Sequence, residues 1–215
     1  MNDEGSLRER LIDAGVELVT AGGTASLGLR EIARRAGVSH GAPRRHFPTH
    51  HSLLAAIARR GFADLGTRFA AATAAPAPAR DRLQALARVY VGYALEQRGM
   101  FELMYRHDLL DSGPHPSAGP RLRDSTVPLF ERIVALVAEC TAARQGGQAA
   151  GAPAVTAAAL WANLHGVAQL WTWGSLQLVL GAPESAGDPG RGPAPDPLDT
   201  LVTAVLDAHL GPVTP

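Results

Sequence analysis

The sequence predicts an all-α protein of about nine helices: a small N-terminal three-helix domain, then a larger helical domain. Three observations lead there. Apolar residues recur at i, i+3, i+4 and i+7 through most of the chain. No stretch alternates convincingly in the manner of a half-buried strand. Glycine and proline, 23 and 16 in number, collect mainly in short clusters between the periodic stretches.

Taken in order, Ser6 and Glu9 read as a capping box that starts a first helix at residue 7. Leu7, Leu11, Ala14 and Leu18 form its buried face, and Gly22-Gly23 stops it. A second helix carries Leu29, Ile32, Ala33 and Ala36 on one stripe and ends at Gly37, where glycine takes the left-handed conformation cheaply. Ser39 is a good N-cap for a short third helix, which Pro48 ends after Phe47. A long fourth helix follows, stopped by the Pro-Ala run at 75–79. Leu83, Leu86, Tyr90, Tyr93 and Ala94 mark a fifth, and MFELMYRHDLL a short sixth after Gly99. A loop at 111–120 leads to a seventh helix over about 121–144, with Pro128 predicting a kink or a late start. The longest uninterrupted pattern covers 154–180, where Leu164, Trp171 and Leu178 recur at seven residues. Residues 181–197 read as a flexible tether, and a last helix holds Leu198, Leu201, Val202, Val205 and Leu206.

The organising stretch is residues 29–47, LREIARRAGVSHGAPRRHF. Two short helices about a tight turn, the second serine-led and carrying His40, Arg44, Arg45 and His46, are what reading a DNA major groove requires. The segment from Arg8 to Ala56 resembles the DNA-binding domain of tetracycline-repressor-like (TetR-family) regulators. The matching residues are Ile32-Ala33, Ala36-Gly37-Val38-Ser39, Gly41-Ala42 and His46-Phe47-Pro48, then Leu53-Leu54. The string LWANLHG, with Trp161, His165 and Gly166, resembles the WHG-type C-terminal domain of some of these regulators. The resemblance implies residues 1–51 as DNA-binding domain and 52–215 as effector-binding and dimerisation domain. It also implies a homodimer paired through the last two helices, facing a double-stranded, pseudo-palindromic operator.

Composition narrows the alternatives. Basic and acidic residues balance at 20 each, so DNA binding has to come from a local patch. Every basic residue is arginine. Cys140 is alone, which excludes an internal disulfide and fits a reducing cytoplasm; its apolar run points to a buried position. The first residues do not read as a leader, and no apolar run reaches the length of a membrane span, so a cytoplasmic, nucleoid-associated protein is expected. No P-loop, G-x-S-x-G, HExxH or CxxC spacing occurs, and the expectation is a regulator, not an enzyme, without cofactor or metal.

The DNA-facing set is Gly28, Arg30, Ser39, His40, Gly41, Arg44, Arg45 and His50. Arg44 and Arg45 can pair bidentately with guanine or clamp phosphate. The family pattern usually has tyrosine at position 44, a leucine-like residue at 43, a Ser or Thr at 28 and a lysine near 50. Pro43 therefore removes a backbone bond at the fourth position of the expected recognition helix, and His50 stands for the lysine. Arg8 and Arg10 are secondary phosphate candidates. Pro48 separates His46 from His50 and His51, which argues for DNA-facing or surface histidines over a metal site. Phe101, Met104, Tyr105, Trp161 and His165 are the candidate lining of a small-molecule effector pocket, although ordinary core is the more natural place for them. Leu164, Trp171, Leu178, Leu201 and Val205 are the expected dimer seam.

Overall fold

The computed structural model describes residues 3–110, 121–145, 152–180 and 196–212, and every regular element among them is helical. In chain order these are α1 (Asp3–Gly22), a 3-10 turn (Thr24–Ser26), α2 (Leu29–Arg35), α3 (Pro43–His46), α4 (His50–Ala72) and α5 (Ala79–Glu96). Then come α6 (Arg98–Tyr105), α7 (His107–Leu110), α8 (Arg123–Gln145), α9 (Pro153–Thr172), α10 (Ser175–Leu180) and α11 (Pro197–Leu210).

Two of the expected nine helices are each divided, which makes eleven. The expected sixth breaks at Arg106, whose ψ of 73° is not helical. The expected 154–180 helix breaks at Gly174, which sits at φ 79° and ends α9. There Trp173 N–H returns to the Gln169 carbonyl and Gly174 N–H to that of Trp171, both at 3.0 Å. The apolar period runs on across this turn, so only the backbone reveals it. Pro128 does not delay α8; it is enclosed by the helix, where its missing N–H cannot serve the Asp124 carbonyl. α1 starts at Asp3, so Ser6 lies inside the helix and not ahead of it. The loop expected at 111–120 and nearly all of that at 181–197 fall outside the described residues.

By packing, the chain forms two units: Met1–Gly66 with Gln97–Pro128, and Thr67–Glu96 with Leu129–Pro215. This partition differs from the family boundary at 51/52, because α6 packs with α1 and the 3-10 turn. In the first unit α1 is the buried centre. Leu11 and Val19 are fully buried and Ile12 nearly so, under a layer made by Ile32, Ala33, Leu53 and Ile57. α6 comes so close to the end of α1 that a Cβ on Gly99 would lie 2.2 Å from the Val19 carbonyl oxygen. Gly61 likewise yields its face to the thioethers of Met100 and Met104.

In the second unit α5, α9 and α11 form the core, with Tyr90, Val91, Ala157, Leu160, Ala168, Val202 and Leu206 buried. Arg80 and Arg88 tie α5 to α11 through Asp207 and Asp199; Arg80 also donates to the Leu206 carbonyl at 3.0 Å. Cys140 is buried, and desolvation pushes its thiol up from the ordinary value, as an inert core cysteine requires.

Two glycine substitutions should behave in opposite ways. Gly99→Ala forces backbone apart and should destabilise the chain by about 1–3 kcal/mol. Gly92, in mid-α5, has nothing within 4 Å of an added Cβ, and Gly92→Ala should stabilise by about 0.5–1 kcal/mol through helix propensity. Urea unfolding of both variants checks the pair.

Candidate functional site

The segment expected to face DNA is built upward from its turns. α2 starts on Gly28, an extended N-cap with φ −69° and no side-chain hydrogen bond, as the sequence suggests. It ends in a Schellman motif: Val38 N–H returns to the Ala33 carbonyl at 3.0 Å and Gly37 N–H to that of Arg34 at 3.1 Å, with Gly37 at φ 68°. Arg10 then donates to the Ala36 carbonyl at 2.7 Å, so this phosphate candidate braces the turn from behind. Arg8 lies over the Phe47 ring at 5.2 Å and also faces Glu9.

The recognition helix is shorter than expected. Residues 39–42 form a turn, with Ala42 N–H on the Ser39 carbonyl at 3.0 Å, and α3 begins at Pro43. Ala42, not Ser39, is its N-cap. Pro43 is the first helical residue, where an N–H would have no intrahelical partner, so its ring removes nothing. Pro43 and Phe47 are buried, and Arg44 and Arg45 between them point outward. Helices of seven and four residues have little dipole of their own, so neither N-terminus offers much to an anion.

Charge pairing separates the arginines of this face. Arg34 is held by Glu31 of its own helix through a 2.9 Å hydrogen bond, which keeps the Glu31 carboxyl below its ordinary range. Arg35 is held by Glu17 at 2.8 Å. Arg30, Arg44 and Arg45 are exposed and enter no ion pair with a described residue. Ser39, His40 and Gly41 are exposed beside them. An added Cβ at Gly41 or Gly28 would meet nothing within 4 Å, and neither has a positive φ. The bare Gly41 surface therefore serves neither the chain's packing nor its backbone geometry.

His50 does something the sequence does not signal. Its Nε2 lies 2.6 Å from the Leu27 carbonyl, tying the start of α4 to the entry of α2. α4 itself is started by a reciprocal box that sequence reading missed: Ser52 N–H to Thr49 Oγ1 at 3.0 Å and Thr49 N–H to Ser52 Oγ at 3.2 Å. Among the described residues no three His, Cys, Asp or Glu side chains gather where they could hold a metal ion.

The expected effector residues fall into two groups, one in each unit. In the first unit Phe101 and Met104 are buried, and Tyr105 stacks edge-on to Phe101 at 5.0 Å and Phe62 at 5.7 Å. In the second unit Trp161 and His165 meet on Tyr90. Trp161 Nε1–H donates to the Tyr90 oxygen at 3.0 Å, and that oxygen lies 2.8 Å from His165 Nδ1. Trp161 and Tyr90 also help line an apolar cavity with Phe69, Leu86, Leu160 and Leu164. Burial pushes the His165 imidazole below the ordinary histidine value, because desolvation disfavours its charged form. A neutral ring lets the relay run one way, from Trp161 N–H to Tyr90 and from the Tyr90 hydroxyl to Nδ1. Gly166 has open space where a Cβ would be, so it does not serve close helix approach within the chain.

Comparison with known proteins agrees with this architecture. Residues 11–57 match the model of bacterial regulatory proteins of the tetR family, and residues 83–188 match that of the tetracyclin repressor-like C-terminal domain. A solved protein of unknown function from Rhodococcus sp. RHA1 is 32% identical over 95% of this chain and 93% of its own, with a TM-score of 0.70.

The chain belongs to the TetR family.

Further similar structures include the TetR transcriptional regulator SCO0520 from Streptomyces coelicolor, 23% identical with a TM-score of 0.52, covering 96% of this chain and 99% of that one. Another is the multidrug binding protein EbrR, complexed with imidazole, 26% identical with a TM-score of 0.57 over 97% and 96% of the two chains. No curated protein matches. As a TetR-family transcriptional regulator, the protein carries its DNA-binding helices in the first unit. Among the described residues no helix is long and apolar enough to cross a membrane.

Of the seam residues named from sequence, Leu164 is buried within its own unit, at 5% exposure. Trp171, Leu201 and Val205 are half-buried, and Leu178 is 86% exposed. Tyr90 is the site residue that sequence reading assigned only to the core. Its hydroxyl partners are 71 and 75 positions away, and no local signal announces them.

The neutral state of His165 has a consequence for stability. Its folded pKa is the lower one, so the unfolded chain takes up this proton first as pH falls. The contribution is intact above about 6.5, the ordinary histidine value, and declines below it. Urea unfolding from about pH 7.5 to about 5.5 should show wild type losing stability relative to His165→Gln. Parallel curves would refute the assignment.

Proposed function

We propose that this TetR-family regulator is a homodimeric repressor that binds a pseudo-palindromic operator and releases it when a small, largely apolar effector binds. The observation that carries the DNA reading is the contrast among arginines. Arg34 and Arg35 are neutralised within the protein, whereas Arg30, Arg44 and Arg45 face solvent without a counter-charge beside a bare Gly41. A protein with no net charge needs such a local concentration to meet phosphates. Ser39, His40 and Gly28 border it, and His50 takes part by fixing the entry of α2.

Exposed apolar side chains support the dimer. Trp173, Leu178, Val179 and Leu180 on and before α10, and Leu170 and Val155 on α9, leave a large apolar surface open. With Trp171, Leu201 and Val205 at its margin, this is the composition of an interface. Two-fold symmetry would set two heads one DNA turn apart. A ligand preferring one head spacing then shifts the population away from the operator-bound form. EbrR, a multidrug binding protein, favours the effector part of this reading.

Arg44→Ala combined with Arg45→Ala should weaken operator binding and reduce its salt slope by about one unit per lost phosphate contact. Fluorescence anisotropy across a salt series measures both, and an unchanged slope overturns the assignment. Gly41→Ala should leave the unfolding midpoint where it is while lowering operator affinity, since the added methyl meets only DNA. Equal affinity for both proteins would remove Gly41 from the interface.

A further inference from the structure

We propose that Arg45 is the residue that reads the operator, at a guanine of each half-site, while Arg44 beside it holds the phosphate backbone. This rests on the DNA reading above and assigns separately two roles that it leaves shared between the arginines. The division follows from the inner side of α3. Pro43 and Phe47 are buried and four residues apart, and the Phe47 N–H returns to the Pro43 carbonyl at 2.9 Å, so the turn between them is α-helical. Successive residues of such a turn point about 100° apart. The residue midway between two inward positions therefore points straight outward, and that residue is Arg45. Arg44 and His46 fall on the two flanks, about 80° from the inward direction. Burial agrees: His46 is half-buried, whereas Arg44 and Arg45 are exposed.

A helix lying in the major groove has base edges in front of it and a phosphate backbone on either side. The outermost side chain faces the groove floor, and a flanking one faces a wall. What precedes Arg45 assists its reach. Gly41 stands four residues earlier and is exposed, and an added Cβ there would meet nothing within 4 Å. The chain between them is held by Ala42 N–H on the Ser39 carbonyl and Arg45 N–H on the Ala42 carbonyl, at 3.0 and 3.1 Å. Without a side chain at 41 the backbone can come close to the bases, which brings the guanidinium within reach of their edges. Neither arginine has to leave a carboxylate first, since neither enters an ion pair with a described residue. In the major groove guanine alone offers two neighbouring acceptors, O6 and N7, to the parallel N–H donors of the fork. Adenine puts a donor where O6 would be.

The test is selection from a random double-stranded DNA library by the full-length protein, as wild type, Arg45→Ala and Arg44→Ala, followed by sequencing. Wild type should enrich a two-fold motif with a guanine in each half-site. In anisotropy titrations, replacing that guanine by adenine in one half-site should weaken wild-type binding about 5- to 150-fold. Arg45→Ala should bind the two duplexes alike and keep the wild-type salt slope. Arg44→Ala should retain the discrimination, bind every duplex more weakly and lose about one unit of salt slope per phosphate contact removed. Partial unfolding would lower the active fraction without altering base preference or salt slope, so it imitates neither result.

An exchange of these two patterns, retention of the base preference by Arg45→Ala, or a wild-type motif without the guanine overturns the assignment while the regulator reading stands. If wild type enriches no sequence, that reading fails and this assignment with it.

Discussion

A helix of four residues closes barely one turn and has no stability of its own. Everything the protein presents to DNA depends on that constraint being met from beneath. α3 is held by what surrounds it: Pro43 and Phe47 buried on its inner side, the Schellman turn behind it, and the Thr49–Ser52 box in front. α1 closes the arrangement from below, through Arg10 on the Ala36 carbonyl and Glu17 on Arg35. The outward arginines are thus positioned by buried neighbours and by backbone bonds that α3 does not itself supply. On the proposed reading, a substitution at Phe47 or Gly37 would disturb DNA binding as one at Arg44 would, by a different route.

The second unit applies another logic. Its core is apolar apart from one relay, in which three polar side chains satisfy one another at the edge of a nearly filled cavity. Buried polar groups that are matched hold a core in one arrangement; unmatched, they are expensive. The relay therefore helps keep Trp161 in place, through its indole N–H on the Tyr90 oxygen. Of the salt links from α5 to α11, Arg88–Asp199 sits at the surface and adds little energy, whereas Arg80 meets Asp207 and the Leu206 carbonyl in a part-buried setting, and both keep α11 in register.

Much of this was legible from residue spacing. The stripe Leu29, Ile32, Ala33, Ala36 and the face Leu83, Leu86, Tyr90, Tyr93, Ala94 pack largely as their periods predict, and Gly37 takes the left-handed turn its position suggests. Starts and stops were less legible, because several residues compete for each. Ser39 is a good cap, yet Pro43 begins the helix, since proline at the first helical position gives up no bond. Gly174 looks like an interior glycine because apolar residues continue in phase on both sides of it. The Tyr90 relay was illegible for another reason: periodicity sorted Tyr90 into the core, apart from the pocket expected around Trp161 and His165, and nothing short-range marks a hydrogen bond across 71 positions.

The turn at Gly174 also bears on how the single chain survives in solution. By ending α9 it leaves Leu178 and Val179 86% and 76% exposed. Newly synthesised copies in dilute solution would carry this greasy flank uncovered, and hydration of it grows more unfavourable as temperature rises from cold. Were the proposed homodimer to cover it, solubility and resistance to degradation would rise with the number of copies present, so that the regulator would be shortest-lived when scarce.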